Sequence, residues 1–146
     1  MPYAHLLIIL DKDSKLYSPE TYDKIVSAEL SDPTVSKYLH GLVVNHMLYC
    51  HYGDFNRNCP CMKQNGGCKN NFPKLFSDFS KPGKNSYPLY KRPNNGRRVL
   101  IYGHKLNNQW VVSYNPYLLA TYDCHINVEI CSTIEAVKYL YKYIYK

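Results

Sequence analysis

Apolar and polar positions follow several distinct patterns along this chain, and each predicts its own element. Leu6-Leu7-Ile8-Ile9-Leu10 is a continuous apolar run, β-branched at its centre and closed by Asp11-Lys12-Asp13-Ser14. A short run bounded this way predicts a buried strand. Ser18-Pro19 marks a helix start, with serine as cap and proline at the first helical position; Tyr22, Ile25, Val26 and Leu30 follow. Asp32-Pro33 repeats the signal, and after it Val35, Tyr38, Leu39, Leu42, Val43, His46 and Met47 fall at helical spacing. From Cys50 to about Leu106 the chain is rich in Asn, Gly, Pro and Lys and holds no period. That is too long for a plain loop in one domain, so something else must order it. Gln109 to Tyr114 predicts a strand. Cys124 to Cys131 predicts another, with Cys124, Ile126, Val128 and Ile130 on one face and His125, Asn127, Glu129 and Cys131 on the other. Ser132-Thr133-Ile134-Glu135 is a capping box, and a helix should run from it to Lys146. The expected architecture is α+β: one domain over residues 1–146, a largely antiparallel sheet flanked by helices, and an insert at 50–105.

Composition adds two facts. No apolar run approaches the length of a membrane span, and no charged-then-apolar leader opens the chain, so neither a membrane protein nor a secreted precursor is expected. The net charge of +7 is also uneven. Between Met62 and Lys105 ten basic residues face one acid, Asp78, a local charge of +9. Phe72, Phe76, Phe79, Tyr87 and Tyr90 are interleaved with them. Such a segment suits single-stranded DNA, its cations neutralising phosphates and its rings stacking on bases. Lys69, Lys74, Lys91, Arg92, Arg97 and Arg98 are the candidate contacts. The competing reading is a solvated loop kept soluble by lysines. Gly66-Gly67-Cys68-Lys69 lacks the spacing of a phosphate-binding loop, so no ATPase motor is expected on this chain.

Three groups of residues carry possible chemistry. On the terminal helix Ile134, Val137, Tyr141 and Ile144 form one stripe. Tyr139 and Tyr143 stack on the opposite face, near Lys142 and Lys146. Phenols are poor nucleophiles near neutral pH, but adjacent ammonium groups or a metal on the target phosphate lower the barrier. From spacing alone, a Tyr-rich amphipathic helix with solvated lysines is the favoured reading. His5 opens the first run, and His125 and Glu129 share a face of a later one, so the three could hold one cation. Cys50, His51, Cys59, Cys61 and Cys68 cluster near the start of the basic segment. Their ligand types suit Zn2+, although the spacing matches no standard finger; free thiols are the alternative.

Taken in order, several stretches resemble the N-terminal helicase-like domain of Helitron transposon proteins, which contains an HUH-type (Rep) rolling-circle nuclease. They are Pro2-Tyr3-Ala4-His5-Leu6-Leu7-Ile8, Asp23 to Glu29, Pro60-Cys61-Met62, Cys68 to Lys74, Trp110 to Leu119, His125 to Glu129, and Ala136 to Tyr143. The resemblance implies an HUH/Rep-like fold and two histidines of a Pro-His-x-His strand holding Mg2+ or Mn2+ over the scissile phosphate. It also implies that Tyr139 and Tyr143, in a YxxKYxxK pattern ending at Lys146, nick and rejoin single strands through 5′-phosphotyrosine links. Tyr3 stands where the first of those histidines is expected, leaving His5 alone and weakening the metal site. The family's His-Gly-Pro-Cys-Gly appears as Tyr49-Cys50-His51-Tyr52-Gly53, with ligand types present but displaced. The expectation is a truncated or degenerate transposase fragment, incomplete at both ends and nuclear by resemblance, whose nicking is impaired. The helicase domain of full-length relatives is missing. A non-catalytic zinc-containing nucleic-acid-binding module and a gene-model fragment that does not fold alone are the competing expectations.

Overall fold

A computed structural model describes residues 6, 8, 10, 11, 13, 18–49, 61–63, 67–83 and 88–131. Helix α1 spans Pro19–Tyr22, with Ser18 in extended backbone before it and proline at its start. It lasts one turn rather than continuing towards Leu30. Beyond the turn that follows it, Val26, Ala28 and Leu30 are buried and alternate with partly exposed neighbours, the signature of extended chain. Ser27 pairs with Tyr114 in antiparallel fashion, each backbone N–H reaching the other's carbonyl at 2.8 Å.

Helix α2 spans Lys37–His46. Its start lies later than Asp32-Pro33 suggested because Ser36, not Asp32, accepts the cap bond from the Leu39 N–H. Asp32 instead closes the preceding turn, accepting from the Thr34 N–H and hydroxyl. Val35 and Tyr38, expected on the apolar face, are exposed, while Leu39, Leu42, Val43 and Met47 point into the core.

The basic segment contains a hairpin that the apolar pattern did not predict. Strands β1, Val99–Ile101, and β2, His104–Leu106, pair antiparallel with Val99 opposite Leu106. Tyr102 and Gly103 join them, both at positive φ, 48° and 82°. A two-residue loop of this conformation matches the twist of the strands it connects. Next comes a 3-10 turn at Asn108–Trp110, capped by Asn107, where the sequence pattern predicted the start of a strand. Extended chain begins only at Val111, which pairs with Leu48, and reaches Tyr114. Helix α3, Pro116–Tyr122, was also unpredicted. Asn115 caps it, accepting from the Leu118 N–H, and Asp123 ends it in the left-handed conformation.

α2 and α3 pack together, and Leu30, Leu42, Val43, Met47, Val111, Tyr114 and Leu119 form the main core between them. A second cluster of Val26, Ala28 and Tyr90 is covered by Ile25, Val128 and Ile130. The 124–131 segment keeps its predicted alternation, with Ile126, Val128 and Ile130 partly buried and their neighbours exposed. It is not a ladder strand: its backbone contact to the extended segment is Val128 N–H to Ser113 carbonyl, 3.0 Å. Leu6 and Ile8 are exposed and outside any strand, contrary to the expectation for the first apolar run. The described residues thus form a small α+β fold with a two-stranded antiparallel sheet. None of its helices is long and apolar enough to cross a membrane. The expected terminal helix lies outside the described residues.

Candidate nucleic-acid interface

The basic residues of the 62–105 segment divide into two populations. Arg92 is buried at 5% exposure, and its guanidinium Nη1 donates to the carbonyls of Ala28, Asn108 and Val111 at 3.2, 2.8 and 2.5 Å. Burial lowers it to about 10, so it remains charged at neutral pH. This corrects its assignment as a DNA contact: the guanidinium replaces backbone donors that the irregular chain does not supply. Arg97 is similarly committed. Its Nη2 donates to Asp32 Oδ2 at 2.7 Å, its Nη1 donates to the Leu30 carbonyl at 3.2 Å, and Glu29 lies 3.8 Å away. Lys74 is half-buried, donates to the Asn70 carbonyl at 2.8 Å and lies over the Phe72 ring. Burial and then Arg92 lower its ammonium.

The other population faces outward. Lys63, Lys69, Lys81, Arg98 and Lys105 are exposed, and Lys91 is half-buried. Phe76, Phe79 and Tyr102 are exposed rings within the same segment. Two antiparallel pairs, Ser77 with Arg92 and Lys81 with Leu89, hold residues 77–81 and 89–92 together as an irregular ribbon. The ribbon is pinned to the body by Ser80, which donates to Asp23 Oδ1 and accepts from the Lys91 N–H. Asn108 is a second anchor. Its side chain accepts from the Leu30 N–H at 2.8 Å and donates to the Pro93 carbonyl at 2.7 Å. Composition flagged the cations but not these anchors, since neither a lone Ser nor a lone Asn signals burial.

Tyr49 and Phe72 stack at 4.2 Å between centroids. With Tyr49 on one face and Lys74 on the other, Phe72 is a structural ring rather than a base platform. Near the same stack lie Cys61 and Cys68. Met62 pairs with Cys68, the Lys69 N–H reaches the Cys61 carbonyl at 2.8 Å, and the Cys61 and Cys68 thiols are hydrogen-bonded. Tyr49 was not singled out by its spacing. Its hydroxyl is hydrogen-bonded to both thiols and accepts from Asn70 Nδ2 at 2.8 Å.

His125 and Glu129 do not converge on one point. His125 Nδ1 lies 2.6 Å from the His46 carbonyl at the end of α2. Four residues of extended chain separate their Cα atoms by about 13 Å. Glu129 is exposed as a residue, yet its carboxylate accepts from Ser113 Oγ at 2.7 Å and from Tyr90, with Lys74 and Arg92 nearby. Crowding by protein raises this carboxyl above its usual range, against the opposing pull of Ser113, Tyr90 and the two cations. No group of three metal-binding side chains converges among the described residues. His5, Cys50, His51, Cys59, Tyr139, Lys142, Tyr143 and Lys146 lie outside them.

The chain matches no family model and no curated protein. The site therefore rests on its own chemistry: an outward set of cations and rings, carried on a segment anchored by buried polar side chains.

Proposed function

We propose that the chain binds single-stranded DNA through its basic segment, as a degenerate relative of the Helitron Rep/helicase-like nuclease. One observation carries the reading. After Arg92 and Arg97 are withdrawn into the fold, Lys63, Lys69, Lys81, Arg98 and Lys105 still face outward alongside Phe76, Phe79 and Tyr102. Phosphates need the first set and unpaired bases the second. On this reading the α+β fold is part of an HUH/Rep-like domain acting in the nucleus, and helicase activity belongs to a separate domain of full-length relatives. In an active relative Tyr139 or Tyr143 would attack the scissile phosphorus through its phenolic oxygen. A 5′-phosphotyrosine bond would form and a 3′-hydroxyl would leave.

The described residues do not fit the Mg2+ or Mn2+ that such chemistry uses. Glu129 sits beside two cations and His125 is turned to the end of α2. Two cations already beside a carboxylate repel a divalent metal ion from it. This favours the second reading, a nucleic-acid-binding module that has lost its nuclease.

Fluorescence anisotropy with a labelled single-stranded oligonucleotide tests the binding. Binding at low salt should weaken steeply with added salt, and Lys81→Glu/Arg98→Glu should flatten the log–log slope by about 2. Lack of binding at low salt would sink both readings. A covalent adduct formed with Mn2+ and lost in Tyr139→Phe/Tyr143→Phe would restore the nuclease.

A further inference from the structure

The Cys61–Cys68 hairpin has a chemistry that the DNA reading does not use. Met62 and Cys68 are directly opposed and Cys61 is one residue along, so its Cα lies roughly 6 Å from that of Cys68. Disulfides form at Cα separations of about 4.4–6.8 Å, and the two thiols already share a hydrogen bond. They differ in exposure: Cys61 is half-buried, whereas Cys68 is buried at 6%. The Asn70 N–H points at Cys68 Sγ from 3.4 Å, and the Phe72 N–H is a second backbone donor. The Tyr49 hydroxyl lies 3.7 Å from the same sulfur. Burial alone would raise the Cys68 thiol, but the Phe72 N–H, Tyr49, Asn70 and Cys61 outweigh it and hold the thiol below its usual range. Lys63 and Lys69, both exposed, flank the pair, and no acid occurs between Cys61 and Ser77.

A buried neutral thiol is a small hydrophobe with little need of donors. N–H and O–H groups around one sulfur favour the thiolate, which is the nucleophile of disulfide exchange. An accessible thiol beside a buried one ready to attack it is the layout of a resolving pair. We propose that Cys61 and Cys68 are an oxidation site that takes an anionic low-molecular-weight disulfide as its substrate and closes into a Cys61–Cys68 bond. Cys61, as thiolate, attacks one sulfur of the oxidant; a mixed disulfide forms on Cys61 and one small thiolate leaves. Cys68 then attacks Cys61 Sγ, the mixed disulfide breaks, and the second small thiolate leaves. Two electrons pass from the protein sulfurs to the oxidant, and the two thiol protons end on the released small thiols. The flanking lysines favour an oxidant of negative charge. Closure makes a covalent loop of residues 61–68 and discharges Cys68, whose thiolate otherwise supports the charge of Lys74. None of this depends on whether the chain binds DNA.

The test uses the full chain, reduced, freed of reductant and treated with glutathione disulfide, with the products mapped by mass spectrometry. A Cys61–Cys68 disulfide should form, and Cys124→Ser/Cys131→Ser should leave its yield unchanged. Cys68→Ser should instead trap one glutathione on Cys61. Cys61→Ser should leave Cys68 modified roughly 10-fold less than that, because burial denies the oxidant access. In urea the preference should vanish, with Cys61 also bridging to Cys50 and Cys59. If a serine variant fails to fold, the wild-type maps with and without urea decide. Cys61 and Cys68 both still reduced after Cys124 has taken up glutathione would overturn the proposal. So would a bond from Cys61 to Cys50 or Cys59 in the folded chain, or stoichiometric zinc on the purified chain that keeps both thiols reduced. Equal trapping of glutathione in the two single-serine variants would overturn it too, since attack at the exposed thiol first is part of the proposal.

Discussion

Around α2 and α3 the chain is closed by methyl groups and rings: Leu30, Leu42, Val43, Met47, Val111 and Leu119 are all at or near zero exposure. Between residues 67 and 108 the apolar ties are few, chiefly Tyr90, Val99 and Leu106, and most ties to the body are polar. Arg92, Asn108, Ser80 and Gln109 span the gap with side-chain hydrogen bonds to backbone and carboxylate groups. The first region has regular elements whose backbone groups satisfy each other; the second has mostly irregular chain whose carbonyls need partners from side chains. A segment that must stay cationic on its outside cannot be held by a large apolar face. It is held by directed bonds from a few residues instead.

Substitutions that remove one kind of tie at a time sharpen this contrast. Arg92→Met should have the largest effect. It strands the buried carbonyls of Ala28 and Val111, and at roughly 1–3 kcal/mol for each orphaned group the loss should be about 4 kcal/mol in chemical denaturation. A loss below 1 kcal/mol would mean that water reaches those carbonyls. Leu119→Ala, in the apolar region, should cost about 3 kcal/mol by leaving a cavity beneath α3. If it abolished DNA binding while the fold survived, the two regions would not be separable as described. Gly103→Ala should cost about 1 kcal/mol, because alanine is strained at φ 82°. Its signature is a melting shift with unchanged DNA affinity.

The smallest effect is a pH dependence. Crowding raises the Glu129 carboxyl, so the folded chain holds that proton more tightly than the unfolded chain. Stability from this group is then present below the unfolded carboxyl range and is lost as pH rises through it to the raised value. Glu129→Gln should therefore be modestly more stable than wild type at neutral pH and no better in acid, measured by melting at both. A destabilised variant at neutral pH would show that the Lys74 and Arg92 charges dominate.

The α2 helix was legible because Leu39, Leu42, Val43, His46 and Met47 repeat at its period. The alternation of residues 124–131 was legible too, though not its lack of a continuous ladder. The hairpin at Val99–Leu106 was hidden, since three-residue strands are too short to show a period and Tyr102-Gly103 is an unusual turn pair. Helix α3 carried the same cap-and-proline signal as α1, in Asn115-Pro116, but lasts only seven residues. Among the site residues, the exposed cations followed from charge. Arg92 did not, because a basic residue inside a basic run reads as solvated, and only the tertiary position of three carbonyls reveals otherwise.

The reach of Arg92 also bears on how the molecule comes apart. Its one guanidinium joins Ala28, Asn108 and Val111, groups separated by up to 83 positions along the chain. Local opening of the ribbon would withdraw that charge and leave the Ala28 and Val111 carbonyls without a donor, so partial opening gains little over complete opening. The irregular segment and the helical core are therefore expected to form one cooperative unit, in which loss of either carries the other with it.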